Sequence, residues 1–382
     1  MGNATSKTHF AIIATASAFG LTYGLAAPLI ALELNERGVS GLLIGVNAAM
    51  HALGVLIIAP LLPRIVASAG LSRPAGAALV ISALLLAAFP FAPFLWLWFV
   101  LRVLLGMTSE SLFVISESWL SETTTEATRT RTMGVYVAAM SGGIALGPAV
   151  LSLAGRDGAL PFLVGAGFAM LAFVILLVMR PQQLPLPPSE PRSFGAYLNM
   201  APLAVGAAAL NATVEAAGLT LLPIYALDLG WTETQGTLLL TVLLTGAILL
   251  QVPVGWLGDR VNKDLLISLL ALIAGVGALL WPVAMSHAWL AWPLLFFWGG
   301  AFVGIYTLVL TLVGQRFRGA QLAGVFGVMS VGWGVGALVG PPLGGLAMHL
   351  GRHGLPFMVA IFCVAFAVAC RLLPTRRSVG SL

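Results

Sequence analysis

PLIALEL at residues 28–34 recurs as PIYALDL at residues 223–229, each near the end of the first long apolar run in its half of the chain. A second set repeats with it: Gly134, Gly143, Gly147 and Pro148 have the spacing of Gly327, Gly336, Gly340 and Pro341. Self-similarity of this kind marks a chain built of two like halves. Around these markers lie apolar runs of about 20 residues, the length that carries a helix across a bilayer. There are twelve, with centres near Ala18, Val55, Leu84, Met107, Ser141, Gly167, Ala212, Leu244, Leu272, Gly304, Gly334 and Ala365. The expected fold is an all-α membrane protein of twelve transmembrane helices in two six-helix halves, residues 1–180 and 198–382. The stretch RPQQLPLPPSEPRSFGAYLN at 180–199 is the longest polar interruption, and residues 181–197 within it are read as a cytoplasmic linker.

Composition agrees, since 59% hydrophobic residues, 8% charged residues and a mean hydropathy of +1.02 over 382 residues exclude a soluble domain. The start, MGNATSKTH, has no small-residue cleavage site, so the first span is read as retained. Gly2 and Ser6 fit the loose myristoylation pattern, which is read as chance in a chain already anchored by many spans. Cys363 and Cys370 lie inside the last span and carry no redox or metal argument. Of eighteen basic residues, fourteen fall in alternate loops and the termini, and only Arg37, Arg156 and Arg352 fall in the opposite loops. The positive-inside rule then puts both termini in the cytoplasm, and the expected setting is a bacterial inner (plasma) membrane. The net charge of +5 is thereby a topology signal, and no nucleic-acid partner is expected.

The eighteenth basic residue, Arg102, lies inside span four, LRVLLGMTSESLFVISESWLSE at 101–122, together with Glu110 and Glu117. Ionised groups at mid-bilayer cost at least a few kcal/mol each, so a span that keeps three is using them. At 100° per residue, Arg102, Gly106, Glu110 and Glu117 share one stripe about 80° wide, with Glu117 about 10 Å beyond Glu110 along the axis. Such a face is a ladder of titratable groups, and a mid-membrane carboxyl can exchange a proton for a cation as a cavity changes sides. Glu215 and Asn211 lie in span seven, Tyr306 in span ten, and His51 with Asn47 shares one face of span two. Spans one, four, seven and ten carry the polar residues, including Thr15, Ser17, Thr22 and Tyr23, while spans three, six and twelve carry almost none. A period of three is what a threefold arrangement of helix roles leaves, with polar spans lining a water-filled cavity. Each residue also has a plainer explanation: an ion pair or carbonyl contact for Arg102, a backbone-bonded neutral acid for Glu110, solvation near the interface for Glu117, an interhelical hydrogen bond for His51.

The segment GWLGDRVNKD at 255–264, after span eight, resembles the cytoplasmic loop signature of the major facilitator superfamily. Gly255, Asp259, Arg260 and Lys263 are in register, and Asn262 stands where a second Gly is usual. Gly327, Gly336, Gly340, Pro341, Gly344 and Gly345 resemble the glycine-proline pattern of the family's antiporters, complete here in span eleven. Span five departs from that pattern after Gly143, Gly147 and Pro148, at Val150 and Leu151. The first-half loop keeps Arg64 but has Pro63 where the acidic residue belongs. RVLLGM followed by VISES resembles the YcaD-like branch, a likeness that names no cargo. The family resemblance implies two parallel six-helix repeats with a site between them near mid-membrane. It also implies a gate in which Asp259 holds the cytoplasmic side closed.

These observations lead to an expected secondary transporter with alternating access, not an enzyme. Proton-coupled export is favoured, with a small organic cation or zwitterion as cargo because three in-span acids outweigh one Arg and one His. The alternatives are proton-coupled uptake of a small polar metabolite and a non-transporting membrane sensor or scaffold. The expected partners are the substrate, protons and the bilayer, the expected state is a monomer, and no cofactor or metal is expected. No phosphate loop, metal-ligand cluster or nucleophile-base pair stands in the sequence to support catalysis.

Overall fold

The computed structural model of the chain describes residues 2–124, 126–155, 158–179, 194–317 and 319–372. Among them the regular structure is helical throughout, as it must be where no water can satisfy an open backbone. The first half supplies α1 (Gly2–Glu36), α2 (Gly41–Ile58), α3 (Leu62–Ala69), α4 (Ser72–Ala88), α5 (Leu95–Thr123), α6 (Glu126–Ala154) and α7 (Leu160–Met179). The second supplies α8 (Phe194–Met200), α9 (Pro202–Asp228), α10 (Glu233–Leu249), α11 (Gln251–Arg260), α12 (Lys263–Leu279), α13 (Trp281–Ala284), α14 (Ala288–Arg316), α15 (Gly319–Leu350) and α16 (Gly354–Leu372).

Eleven stretches among the described residues are helical, at least 18 residues long and apolar enough to cross a membrane, with α10 and α11 forming one of them. The twelfth span, α12, is 17 residues long and continues past Leu280 into the single turn of α13. Twelve transmembrane helices in two sets of six are thus the architecture. Residues 181–193 of the expected linker lie outside the described residues, and its last four, 194–197, open α8. Arg156, Arg180, Arg192, Arg318, Arg376 and Arg377 of the basic-loop pattern also lie outside them.

The described contacts gather into two compact units. The first comprises Met1–Val39, Val46–Glu190 and Thr232–Thr241, and the second Ser40–Gly45, Pro191–Trp231 and Val242–Leu382. Within the first, α1 lies directly on α6 at glycines. A methyl group added at Gly20 would stand 2.2 Å from the Met140 carbonyl oxygen, and one at Gly143 would stand 2.6 Å from that of Ser17. Gly24 and Gly147 continue the seam. Within the second, α9 lies on α15 in the same manner, with Gly336 against Ala209 and Gly340 against Thr213, each 2.2 Å from a carbonyl oxygen by the same measure. Small residues let membrane helices approach backbone to backbone, where dispersion and weak polar contacts replace the hydrophobic drive of water. The glycine-proline repeat therefore acts, in this geometry, as a packing seam inside each unit.

A second pair of seams is related in the same way. Gly106 of α5 abuts the His51 carbonyl of α2, and Gly54 of α2 abuts the Val103 carbonyl of α5, each added methyl standing 2.0 Å away. In the second unit Gly246 of α10 meets the Phe296 carbonyl of α14, and Gly299 of α14 meets that of Leu243. The helices poorest in polar residues present bare apolar surface: Leu84 on α4, Leu177 and Val178 on α7 and Ile361 on α16 are all exposed. Such surface is what lipid-facing helices require.

Candidate functional site

The seam between α2 and α5 fixes the candidate site of the first unit. Gly106 rests on the His51 carbonyl, and Arg102, one turn before Gly106 on the same face of α5, is near enough to His51 to act on its charge; Asn47 lies one turn before His51 on α2. Arg102 is 3% exposed, Asn47 1% and His51 6%, so all three side chains are buried. Tyr23 of α1 lies beside His51, the ring centroids 5.2 Å apart at an interplanar angle of 43°. The Arg102 charge acts electrostatically on both His51 and Tyr23. Further along the same face, Glu110 is half-buried and Glu117 exposed, and Glu117 is near enough to Glu110 to act on its charge. Tyr136 of α6 reaches the backbone side of this face, its hydroxyl 3.0 Å from that of Ser116.

The hydroxyls expected to line a cavity from span one are engaged within α1 itself. Thr15 donates to the Ala11 carbonyl at 2.9 Å, Ser17 to Ile13 at 2.9 Å and Thr22 to Ala18 at 2.8 Å. A Ser or Thr inside a membrane helix satisfies its hydroxyl on the preceding turn because no water competes for it. Each of these oxygens keeps its lone pairs, so the bond to the preceding turn leaves it able to accept from a ligand.

In the second unit Glu215 and Asn211 come together on α9, with Asn211 Nδ2 donating to Glu215 Oε2 at 3.0 Å. The spacing of four that puts them on one face makes this pair. Asn211 is 8% exposed and its Oδ1 has no partner among the described residues, whereas Glu215 is half-buried. Tyr306 on α14 is half-buried, and its neighbour Thr307 donates to the side-chain oxygen of Gln251 on α11. Gln251 was missed in the sequence; a lone amide side chain in the middle of span eight was the available signal. A cavity of about 550 Å³ lies elsewhere in this unit, at the end where α9 and α12 begin and α14 ends, with Asp264, Arg316 and Phe366 in its wall. None of the residues expected at the site lines it.

The loop GWLGDRVNKD forms the end of α11 and the start of α12. Arg260 lies over the Trp256 ring, 3.6 Å from its centroid, and the exposed Asp259 carboxylate is 3.8 Å from Lys263 Nζ. Asn262 is the N-cap of α12, its side-chain oxygen accepting from the Leu265 amide at 3.1 Å. A cap at that point satisfies an amide the helix leaves open, which gives Asn262 a local reason to stand where Gly is usual. Gly255 has open space around it. Pro148 stands inside α6, and Pro341 and Pro342 inside α15.

With the geometry in place, comparison with known proteins is informative. The family model described as Major Facilitator Superfamily matches residues 10–321 and again 204–381. The MFS-type transporter YfkF of Bacillus subtilis is 24% identical over 356 residues, covering 90% of this chain and 90% of that protein. The MFS-type transporter YcaD of Escherichia coli O139:H28 is also 24% identical, over 347 residues and the same shares of each chain. Among solved structures, the nucleoside transporter NupG superposes with a TM-score of 0.79 at 14% identity, covering 96% of this chain and 99% of that one. A bacterial homologue of the human lysosomal transporter Spinster, inward-facing and occupied, does so at 0.74 and 15%, covering 99% of both. At these identities the structural likenesses speak for the fold.

Proposed function

Since the chain belongs to the major facilitator superfamily, we propose that this transporter works by alternating access and exports a small organic cation or zwitterion in exchange for protons. The α5 face of Arg102, Glu110 and Glu117 is the path for proton and substrate, and Glu215 is its counterpart in the second unit. The observation that carries this proposal is the placement of Glu110: a half-buried carboxyl in mid-span, one turn beyond a glycine seam and in electrostatic reach of a second carboxylate. A carboxyl group so placed is costly to keep unless its protonation is used. Both termini face the cytoplasm, the protein acts as a monomer in a bacterial inner membrane, and the 255–264 loop closes the cytoplasmic side through Asp259.

The test is ligand-induced thermal stabilisation of the purified protein. A panel of organic cations, zwitterions, sugars and organic acids is screened at acidic and alkaline pH, with Glu110→Gln in parallel. A specific ligand at a hundred times its Kd stabilises by about 2.7 kcal/mol. Proton exchange at Glu110 predicts a cationic or zwitterionic hit that strengthens at alkaline pH and is lost in Glu110→Gln. A hit indifferent to both would move the site away from α5.

A further inference from the structure

The buried group formed by Asn47, His51 and Arg102 has a chemical polarity that the acidic residues of α5 do not explain. A guanidinium keeps its charge in any protein environment and has donors but no acceptor. Arg102 is 3% exposed, yet among the described residues no carboxylate forms an ion pair with it, and its Nε has no hydrogen-bond partner. On α2, the helix packed against this part of α5, Asn47 Nδ2, which can only donate, and His51 Nδ1 are also buried and without partners among the described residues. Buried polar atoms are almost always satisfied, so three orphans on adjacent turns of two touching helices need a common explanation. Glu110 does not supply it, because it stands two turns further along α5, about 12 Å by helical rise.

We infer that Asn47, His51 and Arg102 form a carboxylate-binding subsite, and that the transported molecule is a zwitterion whose carboxylate docks there while its amine lies toward Glu110. Arg102 Nε and Asn47 Nδ2 can only donate, and His51 Nδ1 joins them in the tautomer that carries its proton there; such a set selects a group that accepts, and a carboxylate matches a guanidinium in shape as well as charge. An amine or a metal cation would meet repulsion from Arg102 and find no acceptor at Asn47 Nδ2. The Tyr23 ring, tilted at 43° against His51, gives the subsite an apolar wall on the α1 side. Gly106 keeps α2 and α5 close enough for donors from both helices to reach one ligand group. The inference rests on the α5 face being the transport path, and it narrows the substrate from cation or zwitterion to zwitterion.

The experiment is saturation-transfer NMR on the purified full-length protein with acetate as the probe, repeated with Arg102→Gln, Asn47→Leu and Glu110→Gln. Losing one charge-assisted pair weakens a ligand by about tenfold or more. Acetate should therefore take up saturation from the parent protein, lose that signal in Arg102→Gln and Asn47→Leu, and retain it in Glu110→Gln. Should Arg102→Gln fail to purify as a monodisperse species, Asn47→Leu reads the same pocket. Equal acetate signals in the parent and the pocket variants would overturn the subsite. Displacement of acetate by an equal concentration of chloride would mark a halide site and overturn the substrate class. Loss of the subsite with pH-gradient-driven flux intact removes this inference alone. Acetate bound as described, with no flux of any substrate, removes the transport mechanism beneath it.

Discussion

Glu110 and Asn262 show at the scale of single residues how one chain serves two solvents. Glu110 sits within an apolar span, where a carboxyl is retained only for use, while Asn262 sits at a helix start facing water, where its side chain replaces a missing backbone partner. The cap predicts that Asn262→Ala lowers stability by about 1 kcal/mol in thermal unfolding of the purified protein and leaves substrate binding in place. Charged residues were legible in the sequence because an Arg or Glu stands out in an apolar run. Their partners were not. Which groups surround Arg102 depends on which face of α2 lies beside α5, and no spacing within one helix encodes that. The partners of Thr15, Ser17 and Thr22 are local, each hydroxyl donating to the preceding turn of its own helix.

The recurrent device among the helices is a glycine on one helix set against a carbonyl on the next. The α1–α6 and α9–α15 seams correspond, as do the α2–α5 and α10–α14 seams, so the repeat visible at PLIALEL and PIYALDL extends to the contacts that hold each unit. The glycine-proline spacing announced the first pair of seams. The second pair, at Gly54, Gly106, Gly246 and Gly299, was hidden among 44 glycines, because only the partner's backbone distinguishes a packing glycine from an idle one. Gly106→Ala places a methyl 2.0 Å from the His51 carbonyl and must part α2 from α5. The expected cost is about 1–3 kcal/mol in unfolding experiments in detergent, together with loss of ligand stabilisation. Gly134→Ala on α6, where nothing lies within 4 Å, is the control and should remain within about 1 kcal/mol of the parent.

For the whole molecule, the twelve spans followed from run length, because a bilayer leaves a helix few options, and the two halves from the internal repeat. Span nine shows the tolerance of that rule, as 17 residues suffice with a short continuation. Direction and coupling are not contained in a hydropathy pattern. If Asp259 is the latch, Asp259→Asn inserts at normal abundance but transports several-fold more slowly, measured as initial rate per unit of membrane protein. Unchanged rates would remove Asp259 from the mechanism. The central claim is proton exchange at Glu110, and its most direct measurement is flux in proteoliposomes under an imposed pH gradient. With a ligand from the stabilisation screen loaded on one side, the parent protein should move it against its own gradient, in the direction opposite to proton flow. Glu110→Gln should abolish that uphill movement while still inserting. Uphill movement of equal size in parent and Glu110→Gln, or flux that ignores the pH gradient, would contradict the claim.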